Sequence, residues 1–251
     1  MRLLIVVAAL LLTGCLTPQA MRDADSAKSL GYAYLGEGNA PGAIGQFRKA
    51  TVSNRWDREA WHGLGLAYFA SERHGDAEEA LVKAIELSDG DFPQGQLNLG
   101  SLYLELGRYE EALPLLSAAS EHPEYRQPHK ALHNLAWAQF NLGQYPEARK
   151  SLSQVLRQFP LFCPAIRNFA AVDEAEGRLP DALTRYRQAL DCDPSDLNTR
   201  LALGTIQARM DLVGDACDNL EMVAKADPYG ELKLQADDIL ARLDCRSLGA
   251  R

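Results

Sequence analysis

The sequence predicts an all-α solenoid of six helix–turn–helix repeats closed by a C-terminal capping helix. Three series of residues in one phase carry that prediction. Leu30-Gly31 with Tyr34 recurs as Leu64-Gly65 with Tyr68 and as Leu99-Gly100 with Tyr103, the glycines 34 and 35 residues apart. Ala43, Ala77, Ala112, Ala148, Ala182 and Ala216 follow at intervals of 34, 35, 36, 34 and 34, and Pro160, Pro194 and Pro228 are each 34 apart. A period of this length marks stacked two-helix units, none of which can bury its apolar face alone.

The chain opens differently. Met1 and Arg2 lead into ten apolar residues, Leu3 to Leu12. Ten is too few to cross a bilayer core, which takes roughly 20 helical residues, but suits the apolar region of a signal peptide. Leu12-Thr13-Gly14-Cys15 then resembles a bacterial lipobox, with the thiol placed where the apolar run ends. The resemblance implies a signal peptide over 1–14, a diacylglycerol on Cys15 and a lipidated tether over 15–23. Leu16, where an Asp is associated with inner-membrane retention, implies the outer membrane. Several acyl chains at about 0.8 kcal/mol per buried CH₂ would anchor the chain durably.

The repeats are expected at 24–57, 58–91, 93–126, 129–162, 163–196 and 197–230. In each, a small residue of the first helix (Gly31, Gly65, Gly100, Ala136, Ala170, Gly204) lets the two helices approach, and the Ala series does so from the second. Four residues beyond each Ala stand Phe47, Leu81, Leu116, Leu152, Tyr186 and Leu220, which complete an i, i+4 apolar stripe. Gly38-Asn39, Gly107-Arg108, Gly143-Gln144 and Gly177-Arg178 are turn signals between helices. The pattern is similar to the tetratricopeptide repeat, with Trp61-x-x-Leu64-Gly65-x-x-Tyr68 the nearest single match. That resemblance implies a right-handed superhelix. Repeats four to six depart from it by carrying Gln139, Asp173 and Gln207 in place of Tyr. The segment 231–246, with Leu232, Ala236, Ile239, Leu240 and Leu243 spaced for one face, is the expected capping helix.

Apart from Cys15 the thiols are Cys163, Cys192, Cys217 and Cys245. Four such residues in an exported chain invite disulfides. Cys163 opens the first helix of repeat five and Cys192 closes its second. Cys217 begins the second helix of repeat six and Cys245 ends the capping helix, which should pack antiparallel to it. Antiparallel helices bring those ends together, so Cys163–Cys192 and Cys217–Cys245 are expected among three possible connectivities. No Cys-x-x-Cys occurs, and all five His lie in the first four repeats, away from the thiols, so neither redox nor metal chemistry is expected.

With 26 Lys and Arg against 34 Asp and Glu, the formal charge of the 251 residues is −8, which disfavours nucleic acid. No phosphate loop, zinc-protease or nucleophile-elbow motif appears, and no nucleophile, base and orienting group assemble. The expected chemistry is binding, with no enzyme activity and no cofactor. His62 and His133 share one phase and read as polar residues on a wet groove wall. In tetratricopeptide proteins positions 2, 5, 9, 12 and 13 of each first helix line the concave groove. Carried over, they place Tyr32, Leu35, Leu66, Phe69, Leu97, Leu104, Trp137 and Phe140 on an apolar wall. Repeats five and six supply the more polar Arg167, Ala171, Glu174, Thr205, Ala208 and Arg209.

A lipobox, a short tether, six repeats and a small cap together resemble the PilF/PilW/Tgl group of type IV pilus pilotins. The four C-terminal cysteines and the length are most like its Tgl branch. The resemblance implies a monomeric, lipid-anchored protein facing the periplasm. Such a protein binds the secretin PilQ and promotes its outer-membrane insertion and multimer assembly, supporting pilus biogenesis and motility. Two other classes of outer-membrane repeat lipoprotein share the architecture: BamD-like subunits of the β-barrel assembly machine and NlpI-like adaptors of cell-wall hydrolases.

Overall fold

The computed structural model describes residues 17–243 and Cys245. The signal peptide 1–14 and the lipidation site Cys15 lie outside the described residues. Among the described residues there are thirteen α-helices and no strand. They come in pairs. The first two pairs are α1 (Pro18–Gly36) with α2 (Ala40–Ser53) and α3 (Arg58–Phe69) with α4 (His74–Glu86). Next come α5 (Pro93–Glu105) with α6 (Tyr109–Glu121) and α7 (Pro128–Asn141) with α8 (Tyr145–Gln158). The last pairs are α9 (Cys163–Ala175) with α10 (Leu179–Cys192) and α11 (Leu197–Arg209) with α12 (Val213–Ala226), followed by the single α13 (Glu231–Leu240).

Two boundaries differ from expectation. Helix α1 starts at Pro18 and takes in residues assigned to the tether, because Thr17 caps it by accepting from the Ala20 N–H and Pro18 fits the first turn, where no N–H is needed. The capping helix ends at Leu240, where the Ala241 N–H closes onto Asp237 and Ile239.

The described residues form two compact units, divided between Leu102 and Tyr103. In the first, α2 packs on α1 and α3, and α4 on α3. In the second, every helix from α6 to α12 packs on the one that follows it. The turn inside each repeat needs one left-handed residue, with φ between 58° and 76° at Gly38, Glu72, Gly107, Gly143, Gly177 and Asp211. Four are glycine, which adopts that conformation without a Cβ penalty.

The phased residues form the core. All six alanines of the series are fully buried, as are Phe47, Leu81, Leu116, Leu152 and Leu220. The approach is close enough to require the small residue. A Cβ on Gly65 would lie 2.6 Å from Leu81 Cγ, and one on Gly204 2.8 Å from Leu220 Cγ. Phe47 is held from two sides, 2.9 Å from a Cβ on Gly31 and 2.2 Å from one on Gly63. Disulfides join Cys163 to Cys192 and Cys217 to Cys245, with Cα atoms 5.7 and 5.9 Å apart.

Candidate partner-binding surface

The fifth position of the first helix joins one repeat to the next. Lys28 Nζ donates to Asp57, the N-cap of α3, at 2.7 Å. Arg167 donates to Asp196, the N-cap of α11, at 3.0 Å. His62 meets Asn98 of α5 at 2.6 Å, its ring edge-on to Phe92 with centroids 5.1 Å apart. His133 repeats the arrangement with Asn168 of α9 at 2.9 Å and Phe162 at 5.4 Å. With the asparagine amides assigned Nδ2 toward the rings, each histidine Nε2 accepts and each ring is neutral; His62 Nδ1 is buried with no hydrogen-bond partner among the described residues. Asn134 Oδ1 lies 3.1 Å from His133 Nδ1, which assigns the same tautomer there.

This geometry corrects two expectations. His62 is 5% exposed and lies inside a joint, not on a wet wall; burial lowers its pKa to about 4. His133 is half-buried, its pKa lowered mainly by burial. Leu97, at the same position in its repeat, is 5% exposed and belongs to the core, so it cannot line a groove.

The other predicted wall residues keep exposed surface. In the first unit Tyr32 is exposed, its ring edge-on to Phe47 at 4.9 Å and its hydroxyl donating to the Glu59 carbonyl at 3.2 Å. Partial burial of the side chain, with Glu59 and Asp57 adding to it, pushes its pKa up to about 12. Leu35, Leu66 and Phe69 are half-buried. In the second unit Leu104 is half-buried, and Trp137 stacks on Phe140 with centroids 5.1 Å apart and planes 13° from parallel. Phe140 is 5.7 Å from Tyr145, which extends the aromatic surface onto α8. Repeats five and six carry ion pairs instead. Arg209 bonds Glu174 at 2.6 Å, and Glu174 accepts from the Tyr186 hydroxyl at 3.1 Å.

Polar residues in the tyrosine phase are paid for by a partner twelve residues on. Ser151 donates to Gln139, Arg185 to Asp173 and Asn219 to Gln207. The largest of these networks surrounds the fully buried Asp173. Arg149 and Arg185 bond it at 2.5 and 2.6 Å, Arg178 at 3.1 Å, and Glu176 joins Arg149 and Arg178. The Arg149 and Arg185 guanidiniums stand 4.9 and 4.0 Å over the Phe169 ring. In repeats two and three the residue matching Arg178 covers the tyrosine itself, Arg73 over Tyr68 at 4.5 Å and Arg108 over Tyr103 at 4.1 Å. Sequence reading missed these networks, although the repeated Tyr-x4-Arg and its Asp173-x4-Arg178 counterpart are a signal for one of them.

A second apolar surface also went unread. In the turn between α8 and α9, Leu161 is 82% exposed and Phe159 41%. Concavities of about 490 and 410 Å³ are both lined by Pro160 and Leu161. Among the described residues no three His, Cys, Asp or Glu side chains gather as metal ligands, and no helix is long and apolar enough to cross a membrane.

Two patterns for the tetratricopeptide repeat match the chain, one over residues 28–95 and 64–126 and the other over 103–172. The chain belongs to the tetratricopeptide-repeat family. Within that family it is 28% identical to human Superkiller complex protein 3 over 66% of this chain, and 24% identical to Cellulose synthase 2 operon protein C of Komagataeibacter xylinus over 90%. It spans only 11% and 16% of their respective lengths. Among solved structures it is similar to PilW, described as a widely conserved type IV pilus biogenesis factor. The TM-score is 0.78 at 20% identity, over 86% of this chain and 98% of PilW. PilF of Pseudomonas aeruginosa gives a TM-score of 0.76 at 20% identity over 89% and 99%. At these identities the likeness establishes the fold, an all-α tetratricopeptide solenoid.

Proposed function

We propose that the protein is an outer-membrane lipoprotein of type IV pilus biogenesis, a pilotin that binds the secretin PilQ and promotes its insertion and multimer assembly. The observation that carries this reading is the end-to-end match with PilW, which leaves almost none of that chain uncovered. The lipobox at Cys15 supports the anchor, and the half-buried apolar residues support a protein partner. In mechanism, Leu66 and Phe69 in the first unit and the Trp137–Phe140 stack in the second hold apolar secretin segments until ring formation buries them. The protein contributes binding and no chemical step.

The test is a deletion strain probed on gels for detergent-resistant PilQ multimers, complemented with wild type or with Leu66, Phe69 and Trp137 changed to polar residues. The expected result is monomeric PilQ in the deletion and in the variant, with the variant still folded and membrane-bound. Normal multimers in both would refute the proposal. Unchanged multimers with general loss of outer-membrane proteins would place the chain with barrel assembly, and copurification of a cell-wall hydrolase would make it an adaptor.

A further inference from the structure

Two of the inter-repeat joints are built differently from their neighbours. The Lys28–Asp57 and Arg167–Asp196 joints each place a cation against a carboxylate. The His62 and His133 joints place a neutral ring against an amide donor, with a phenylalanine edge against the ring. The same device occurs twice in one form, with Phe92 and Asn98 six residues apart at the start of α5 and Phe162 and Asn168 six apart at the start of α9.

Protonating either ring turns an accepting nitrogen into a donor that faces another donor. Rotation of the Asn98 amide would offer its oxygen instead, and would break that oxygen's weak contact with Gln94 Nε2 at 3.5 Å. The added charge would also have no counter-ion. On the His62 side, Arg58 stands one turn earlier on α3 with its guanidinium 5.0 Å over the Phe92 ring, and the Lys28–Asp57 pair closes the start of the helix. Helix α5 offers the amides of Gln94 and Asn98, and among the described residues no charge from α1, α4 or α5 shifts the ring. On the His133 side the charged group acting from a packed helix is Arg167 of α9, which repels an imidazolium. Asn134 and the Pro164 carbonyl favour one, but burial outweighs them.

We propose that the His62–Asn98 and His133–Asn168 joints are acid-sensitive, so that protonation loosens α5 from α3 and α9 from α7 while the two ion-paired joints hold. A surface-anchored protein carrying such joints would present its binding surfaces according to the proton concentration around it. This inference rests on the buried joints and not on the secretin as partner.

The experiment is amide hydrogen exchange on the full chain at pH 7 and pH 5, corrected for intrinsic rates, comparing wild type with His62→Gln/His133→Gln. Glutamine keeps an acceptor for each asparagine and removes the titration. Protection at the first turns of α5 and α9 should fall at least tenfold in wild type on acidification and stay within threefold in the variant. The first turns of α3 and α11 should change little in either. Equal losses in wild type and variant would overturn the proposal. If the variant does not fold, the ring carbon shifts of wild-type His62 and His133 decide it. Rings that stay neutral well below pH 6.5 support the joint, and rings that titrate at the ordinary histidine value refute it. Loss of secretin assembly with intact acid sensitivity would count against the proposed function alone.

Discussion

Removing the Asp173 carboxylate should be far more damaging than removing any surface acid. Asp173→Ala leaves Arg149, Arg178 and Arg185 with Glu176 as the sole carboxylate of the network. Breaking a buried ion pair from one side costs about 3–5 kcal/mol, because the remaining charge is stranded. Here the three arginine side chains keep 29%, 38% and 32% of their surface, so water relieves part of that cost. The expected loss is therefore about 3 kcal/mol. Asp173→Asn keeps an acceptor in the same place and should lose less than Asp173→Ala. The control is Glu86→Ala, which breaks the exposed pair with Lys83 and should cost at most about 1 kcal/mol. Urea unfolding followed by far-ultraviolet circular dichroism gives all three values. The reasoning fails if Asp173→Ala costs no more than Glu86→Ala, or if Asn and Ala are equally damaging.

Gly63→Ala should destabilise although alanine favours helices by about 1 kcal/mol, because overpacking against the fully buried Phe47 ring costs about 1–3 kcal/mol. Adding Phe47→Leu should then recover part of the loss, and a raised midpoint for Gly63→Ala alone would refute the packing argument. Replacing Cys217 and Cys245 by Ser opens a closure of 28 residues and should cost about 3.5 kcal/mol, a difference from wild type that vanishes in reductant. For pH, His62 binds its proton near 4 when folded and near 6.5 when unfolded, so its contribution is complete above 6.5 and is lost as pH falls toward 4. Wild type should lose about 2 kcal/mol more stability than His62→Gln between pH 7 and 5, and parallel losses would remove the buried-histidine account.

The parts of the fold that repeat in residue type were legible. Gly65, Ala77 and Leu81 could be found because their counterparts are the same or nearly the same residues one period away, and helix contact distances fix them. The joints were not legible, because Lys28, His62, Leu97, His133 and Arg167 share a place but change residue type from one repeat to the next, and the partners of the polar ones lie 29 to 36 residues away. Reading that position as groove wall misplaced Leu97 and His62, whose partners on α5 or in the core have no local sequence signal. Trp137 and Phe140, expected on the wall, stack at half-buried positions on α7. Leu161 was missed because the neighbouring Pro160 was read only as a helix stop.

The joints also amount to a compatibility rule for rearranging the chain. A unit ending in a lysine or arginine joint can be followed by one whose first helix starts from Asp57 or Asp196, and a unit with a histidine joint needs the Phe-and-Asn start of α5 or α9. Duplicated or transplanted repeats that respect this lock and key should assemble. Mismatched ones would strand a cation or a ring at the seam, however well their cores are filled.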